Sequence, residues 1–170
     1  RYGGDGLMKR IYSVLVENRS GVLAKVAGLF WRRCFNIDSL TVGETEDSAI
    51  SNMVIVSSGE ERTLEQVEKQ LNKKLDTIKV RTFTENQGLC RELLMVKLRY
   101  KRDNRKDIME NCQILGAKIA ELSRSQMIIE MCDTPERINM FLDTLKTVSI
   151  LECARTGTLA MLKISESENK

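Results

Sequence analysis

The chain has 170 residues, long enough for one domain or two small ones, and 42% of them are hydrophobic, enough to fill a core or two modest ones. Lys and Arg number 27 against 24 Asp and Glu, so a net charge of +3 and an aromatic content of 5% argue against nucleic acid as the main partner. There is no histidine, which removes the commonest general base and neutral metal ligand, and five scattered cysteines (Cys34, Cys90, Cys112, Cys132, Cys153) form no CxxC pair.

These cysteines read as free thiols in a reducing compartment, with neither a metal nor a disulfide role, and the expected location is the cytoplasm. No window approaches the apolar length of a membrane span. Met8 reads as the natural start, and the seven residues before it are left out of the fold argument.

Lys9 to Glu17 has the alternation of a strand, with Tyr12, Val14 and Val16 on one face and Ile11, Ser13 and Leu15 on the other. Both faces are fairly apolar, as in a central strand. A helix follows at once, with Leu23, Val26, Ala27 and Phe30 as the stripe expected to face a sheet. Asn36 to Glu44 is a second strand, "TEDSA" a turn-rich connection, and Ile50 to Ser57 a third strand. Thr63-Leu-Glu-Gln66 has the form of a capping box, with Thr63 as the cap. Leu64, Val67 and Leu71 continue that helix, and Thr77 to Thr84 is a fourth strand.

"ENQG", Glu85 to Gly88, breaks the pattern, and the same order then returns. "ELLMVKLRY" alternates as a strand through Leu94, Val96, Leu98 and Tyr100, and Ile108, Cys112 and Leu115 mark a helix. "AKIAELS" and "QMIIEMC" are strands around a polar turn at Arg124 and Ser125. Thr134 caps the next helix, with Pro135 in its first turn where the missing N–H costs least; Ile138, Phe141, Leu142 and Leu145 form its stripe. The last strand begins at Ile150 to Ala154, and the tail "SESENK" is expected to be disordered.

Two βαββαβ units imply an α+β chain of two ferredoxin-like domains, each with two helices on one face of a four-stranded antiparallel sheet. The helix-free faces must then be polar, or be covered by another sheet or subunit. Base-stacking aromatics, a metal-chaperone CxxC, a phosphate-binding glycine loop and a catalytic constellation are all missing. The turn Asn18-Arg19-Ser20-Gly21 before the first helix has two readings. The helix N-terminus, approached across a glycine, suits a small carboxylate, with Asn18 offering both a donor and an acceptor. Alternatively, Ser20 caps the helix and Gly21 relieves a tight turn.

The stretch "RIYSVLVENRSGVLAKVAGLFWRRCFNIDSLTVGETE" closely resembles the start of the regulatory (small) subunits of acetolactate synthase, also called acetohydroxyacid synthase. The likeness continues through "LEQVEKQLNKKLDTIKV", "ELLMVKL" and "ARTG" and covers nearly all of Met8 to Leu162. It implies an ACT domain over residues 8–84, for effector binding and dimerisation, and a related C-terminal ferredoxin-like domain over 89–164. It also implies a subunit without catalytic residues, metal or cofactor of its own. The partner large subunit would carry thiamine diphosphate, Mg²⁺ and FAD and condense two pyruvates, or pyruvate with 2-ketobutyrate. The small subunit would raise that activity and let valine or a related branched-chain amino acid lower it.

Matched residue by residue, the resemblance puts Asn18, Ser20, Gly21, Val22 and Leu23 on one side of the effector site. Asn36 and Ile37 would come from the partner protomer of a homodimer. Each has a plainer role open to it: Val22, Leu23 and Ile37 as core, and Asn36 in a left-handed turn. A stand-alone ACT-type amino-acid sensor acting on another enzyme or a transcription factor is the alternative, and a catalyst in its own right is a third.

Overall fold

Alternation along Met8–Glu17 makes this strand, β1, the centre of the first sheet. In the computed structural model, which describes residues 8–74 and 76–164, the other elements follow in chain order. They are α1 (Val22–Arg32), β2 (Ser39–Glu44), β3 (Ile50–Gly59), α2 (Glu61–Asn72) and β4 (Thr77–Phe83), then β5 (Gly88–Arg99), α3 (Arg105–Leu115), β6 (Lys118–Leu122), β7 (Gln126–Asp133), α4 (Pro135–Thr144), β8 (Ser149–Arg155) and β9 (Leu159–Leu162). The seven leading residues and the "SESENK" tail lie outside the described residues. Two βαββαβ units are present, as the alternation predicts.

The chain divides into two compact units. One runs through Leu89 and takes up the chain again from Thr158; the other is Cys90–Gly157. In the first, the strand order is β2-β3-β1-β4, with β1 antiparallel to both neighbours. Tyr12, Val14 and Val16 join Met53 and Ile55 and the helix residues Val22, Val26, Leu29, Phe30, Val67 and Leu71 in one buried core. The Tyr12 hydroxyl donates to the Leu64 carbonyl at 2.7 Å, and burial pushes its pKa far above that of a free phenol.

The buried stripe of α1 is rotated from the expected one. Val22, Val26, Leu29 and Phe30 are buried, Ala27 is half-buried, and Leu23 is 44% exposed. Two apolar registers exist along "VLAKVAGLF", and the one that places the larger Leu29 and Phe30 together in the core wins. The capping box is also displaced: α2 begins at Glu61 with Glu60 at its N-cap, so Thr63 lies inside the first turn.

The helix-free face of the first sheet carries the fully buried Ile11 and Val54, together with Val56 and Phe83. Ser39 and Thr41 lie opposite Val56 and Val54 in register and so share that face. Both reach the returning chain: Thr158 N–H donates to Ser39 Oγ at 3.1 Å, and the Thr41 hydroxyl donates to the Thr158 carbonyl at 3.4 Å. Thr158 and Ala160 are buried. The strand expected to close the chain, β8, is therefore followed by one more that the sequence reading does not include.

In the second unit the order is β6-β7-β5-β8. Leu94, Val96, Leu98, Met127, Ile129 and Met131 pack with Ile108, Cys112, Ile138 and Phe141. Thr134 caps α4 as its sequence implies, its hydroxyl accepting from Arg137 N–H at 3.4 Å with Pro135 in the first turn. None of the five cysteines forms a disulfide, and burial raises the pKa of Cys112.

Candidate functional site

β1 ends where its backbone leaves the sheet and is caught by two neighbouring segments. Glu17 N–H donates to the Asp76 carbonyl at 3.0 Å, and Asn18 N–H to the Ala49 carbonyl at 2.7 Å. The Asn18 side-chain amide donates to the Ser48 carbonyl at 2.8 Å and to Glu44 Oε1 at 3.0 Å. Both amide hydrogens are thereby engaged, which leaves its oxygen as the acceptor a ligand ammonium could use.

The turn closes with Val22 N–H donating to the Arg19 carbonyl at 3.3 Å. Gly21 then stands at the N-cap of α1 with φ +86°, a left-handed conformation that side-chain-bearing residues rarely adopt. No side chain caps this helix, so the Ser20 hydroxyl does not have the capping role open to it in the sequence. A Cβ built on Gly21 would meet no atom within 4 Å, so the approach to the helix end is open. The N–H groups of Leu23 and Ala24 meet no carbonyl among the described residues, and no acid lies in the first turn. Two unpaired donors at the positive end of an 11-residue helix form an anion-receptive mouth.

A charged clamp that sequence reasoning does not find holds this turn from below. Arg19 and Lys25 both reach Asp76, at 3.0 and 2.9 Å, and Arg19 also pairs with Glu17. The Lys25 hydrogen bond, reinforced by both positive charges against a smaller opposing effect of burial, holds the Asp76 carboxyl below the usual aspartate range. The partners are 51 and 57 residues apart in the chain. No local spacing announces such a pairing.

The seven residues singled out in the sequence fall into two groups. Asn18, Ser20 and Gly21 form the exposed turn, Val22 buries its side chain in the core, and Leu23 leans outward beside the helix mouth. Asn36 and Ile37 precede β2 and are not part of it. The strand starts later than expected, at Ser39; just before it, Asp38 N–H donates to the Val56 carbonyl and the Asn36 carbonyl accepts from the Ser57 hydroxyl. The Asn36 amide pairs with Asp38, and Ile37 packs partly against the core.

These two groups lie at opposite ends of the sheet. Glu44, bonded to Asn18, pairs with Ser51, whereas Asn36 sits beside Ser57. Six residues of strand separate those points, about 20 Å. One chain does not bring them together. Among the described residues no group of three or more metal-type side chains gathers, and no helix is long and apolar enough to cross a membrane.

Residues 12–79 match the family model described as the AHAS small subunit-like ACT domain, and residues 91–164 match that described as the small subunit of acetolactate synthase. A probable acetolactate synthase small subunit of Archaeoglobus fulgidus is 46% identical over 156 residues, covering 92% of this chain and 98% of that protein. The acetolactate synthase isozyme 3 small subunit of Escherichia coli is 37% identical over 155 residues, covering 91% and 95%. The crystal structure of the acetolactate synthase small subunit from Thermotoga maritima superposes with a TM-score of 0.87 at 36% identity, covering 92% of this chain and 98% of that one.

Proposed function

The chain belongs to the acetolactate synthase small-subunit family, and from that premise we propose that it activates a catalytic large subunit and makes it sensitive to a branched-chain amino acid such as valine. The chemistry of acetolactate formation then resides on the large subunit with its thiamine diphosphate, Mg²⁺ and FAD. This chain supplies binding energy and a switch.

The observation that carries the reading is the glycine-opened mouth of α1. The Leu23 and Ala24 N–H groups receive the α-carboxylate, the Asn18 oxygen accepts from the α-ammonium, and Leu23 offers an aliphatic contact. A second copy completes the site. β2 is an edge strand, and its unpaired backbone groups are a template for another strand. If two copies pair antiparallel about a two-fold axis, the Glu44 end of one β2 meets the Asn36 end of the other. Each turn then faces the partner's Asn36 and Ile37, and the separation of about 20 Å within one chain becomes contact between two.

An effector shifts the holoenzyme only through the difference in its affinity for the active and inactive states. Activation and inhibition are therefore separable: the mouth of α1 serves inhibition, and contact with the large subunit serves activation. The test is acetolactate formation by the large subunit alone, with this chain, and with this chain plus valine. A rise on adding the chain and a fall on adding valine are expected. A rate indifferent to the chain would refute the reading.

A further inference from the structure

The outward face of α1 is apolar where a solvated helix would be polar. Leu23, Ala27 and Trp31 recur at i, i+4 and i+8 and so share a stripe, and Trp31, the chain's single tryptophan, is 81% exposed. A large indole held in water at the end of a helix is the residue type most enriched at the energetic centres of interfaces, where it is typically joined by arginine.

The charge around this stripe is one-sided. The twenty residues from Asn18 to Ile37 contain Arg19, Lys25, Arg32 and Arg33 and no acid, a local charge of +4 in a chain whose total is +3. The remainder of the chain therefore sums to −1. Arg19 is paired with Glu17 and Asp76, and Lys25 with Asp76, whereas Arg32 and Arg33, next to Trp31, make no ion pair among the described residues. A second copy of this surface would set like charges face to face. An apolar pocket with a carboxylate rim would satisfy both features.

We propose that the Leu23–Ala27–Trp31 stripe, with Arg32 and Arg33 at its end, docks into an acid-rimmed apolar pocket of the catalytic subunit, an inference that rests on the regulatory reading above. The indole is the buried anchor and the two guanidinium groups pair with the rim. Because Gly21 stands at the N-cap of α1, the helix N-terminus meets the effector and its outer face meets the enzyme. One rigid element is thus biased by both.

The test uses the full chain and the large subunit. Binding is followed by titrating activation at low and high salt, for the unaltered chain, Trp31→Ala, the pair Arg32→Glu with Arg33→Glu, and Ile114→Ala, a control at a 67% exposed position on α3. Valine binding and the mass of the chain by light scattering report folding and self-association. Trp31→Ala should weaken binding by about tenfold or more, and the double charge reversal should do the same while flattening the salt dependence. Ile114→Ala, valine binding and mass should not change. If both variants bind the large subunit as the unaltered chain does, the proposal is overturned while the regulatory reading stands. It is equally overturned if Trp31→Ala changes only the mass of the chain, or only its binding to nucleic acid or to anionic vesicles. If the unaltered chain itself fails to bind, the regulatory reading fails and takes this inference with it.

Discussion

The backbone N–H of Thr158 donates to the hydroxyl of Ser39 at 3.1 Å, across 119 residues of sequence. This bond and the Thr41–Thr158 bond lay the final described strand over the first sheet's helix-free face, where Ile11 and Val54 are fully buried. The first unit is therefore built from both ends of the chain. A chain ending at Gly157 should lose the cover over several apolar side chains, a destabilisation of more than about 2 kcal/mol. Hydrogen exchange should show lost protection in β1 and β3, with β6 and β7 little changed. A fragment ending at Gln87 shares the defect, so the smallest effector-binding piece has to keep residues 158–164.

The Asp76 clamp makes the candidate site pH-sensitive. Hydrogen bonding to Lys25 and the two adjacent cations lower the folded-state pKa below the unfolded value of about 3.9. The stabilisation is therefore fully present above that value and is lost as the pH falls through the lower, folded one. Asp76→Asn should reduce stability at neutral pH and flatten the acid limb of the stability profile below about pH 4. Urea midpoints measured across the acid range for both chains check this.

Cys34 is the only residue other than glycine with positive φ among the described residues, at +54°. It follows α1, with its N–H donating to the Trp31 carbonyl at 3.2 Å, and it is exposed. A Cβ in this conformation costs about 1 kcal/mol. Cys34→Gly should raise stability by an amount of that order, and Cys34→Val, β-branched in a left-handed turn, should lower it. Denaturant midpoints at unchanged slope decide the sign.

Much of this arrangement was legible in the sequence, for identifiable reasons. Strands such as "ELLMVKLRY" alternate cleanly because one face meets helices and the other does not. Thr134-Pro135 states its cap in two adjacent residues. The turn at Gly21 was legible as a place where side chains are unwelcome, but the choice between a Ser20 cap and an open mouth was not. That choice depends on the φ of +86°, which no spacing reports. Leu23 was misassigned to the sheet-facing stripe because "VLAKVAGLF" permits two registers, settled only by packing with Phe30 and Leu29. The return of Thr158–Leu162 and the Arg19–Lys25–Asp76 clamp were invisible because they join residues distant in the chain. The separation of Asn36 from Asn18 follows from strand directions, so it too waits for the sheet order.

The central claim is that each effector site takes its turn from one copy and its Asn36–Ile37 from another, and mixing two defective chains tests it most directly. Asn18→Ala removes a hydrogen bond to a charged ligand group, worth about 1.5–3 kcal/mol, and should weaken valine binding by roughly ten- to a hundredfold. Asn36→Ala should weaken it comparably from the other side. In a mixed dimer of the two, one site carries both defects and the other carries neither. Random re-pairing of equal amounts makes half of the dimers mixed, so calorimetry on the mixture should recover tight binding at about a quarter of the sites. No recovery, with mixed dimers present by mass spectrometry, would contradict the account and place the whole site within a single chain.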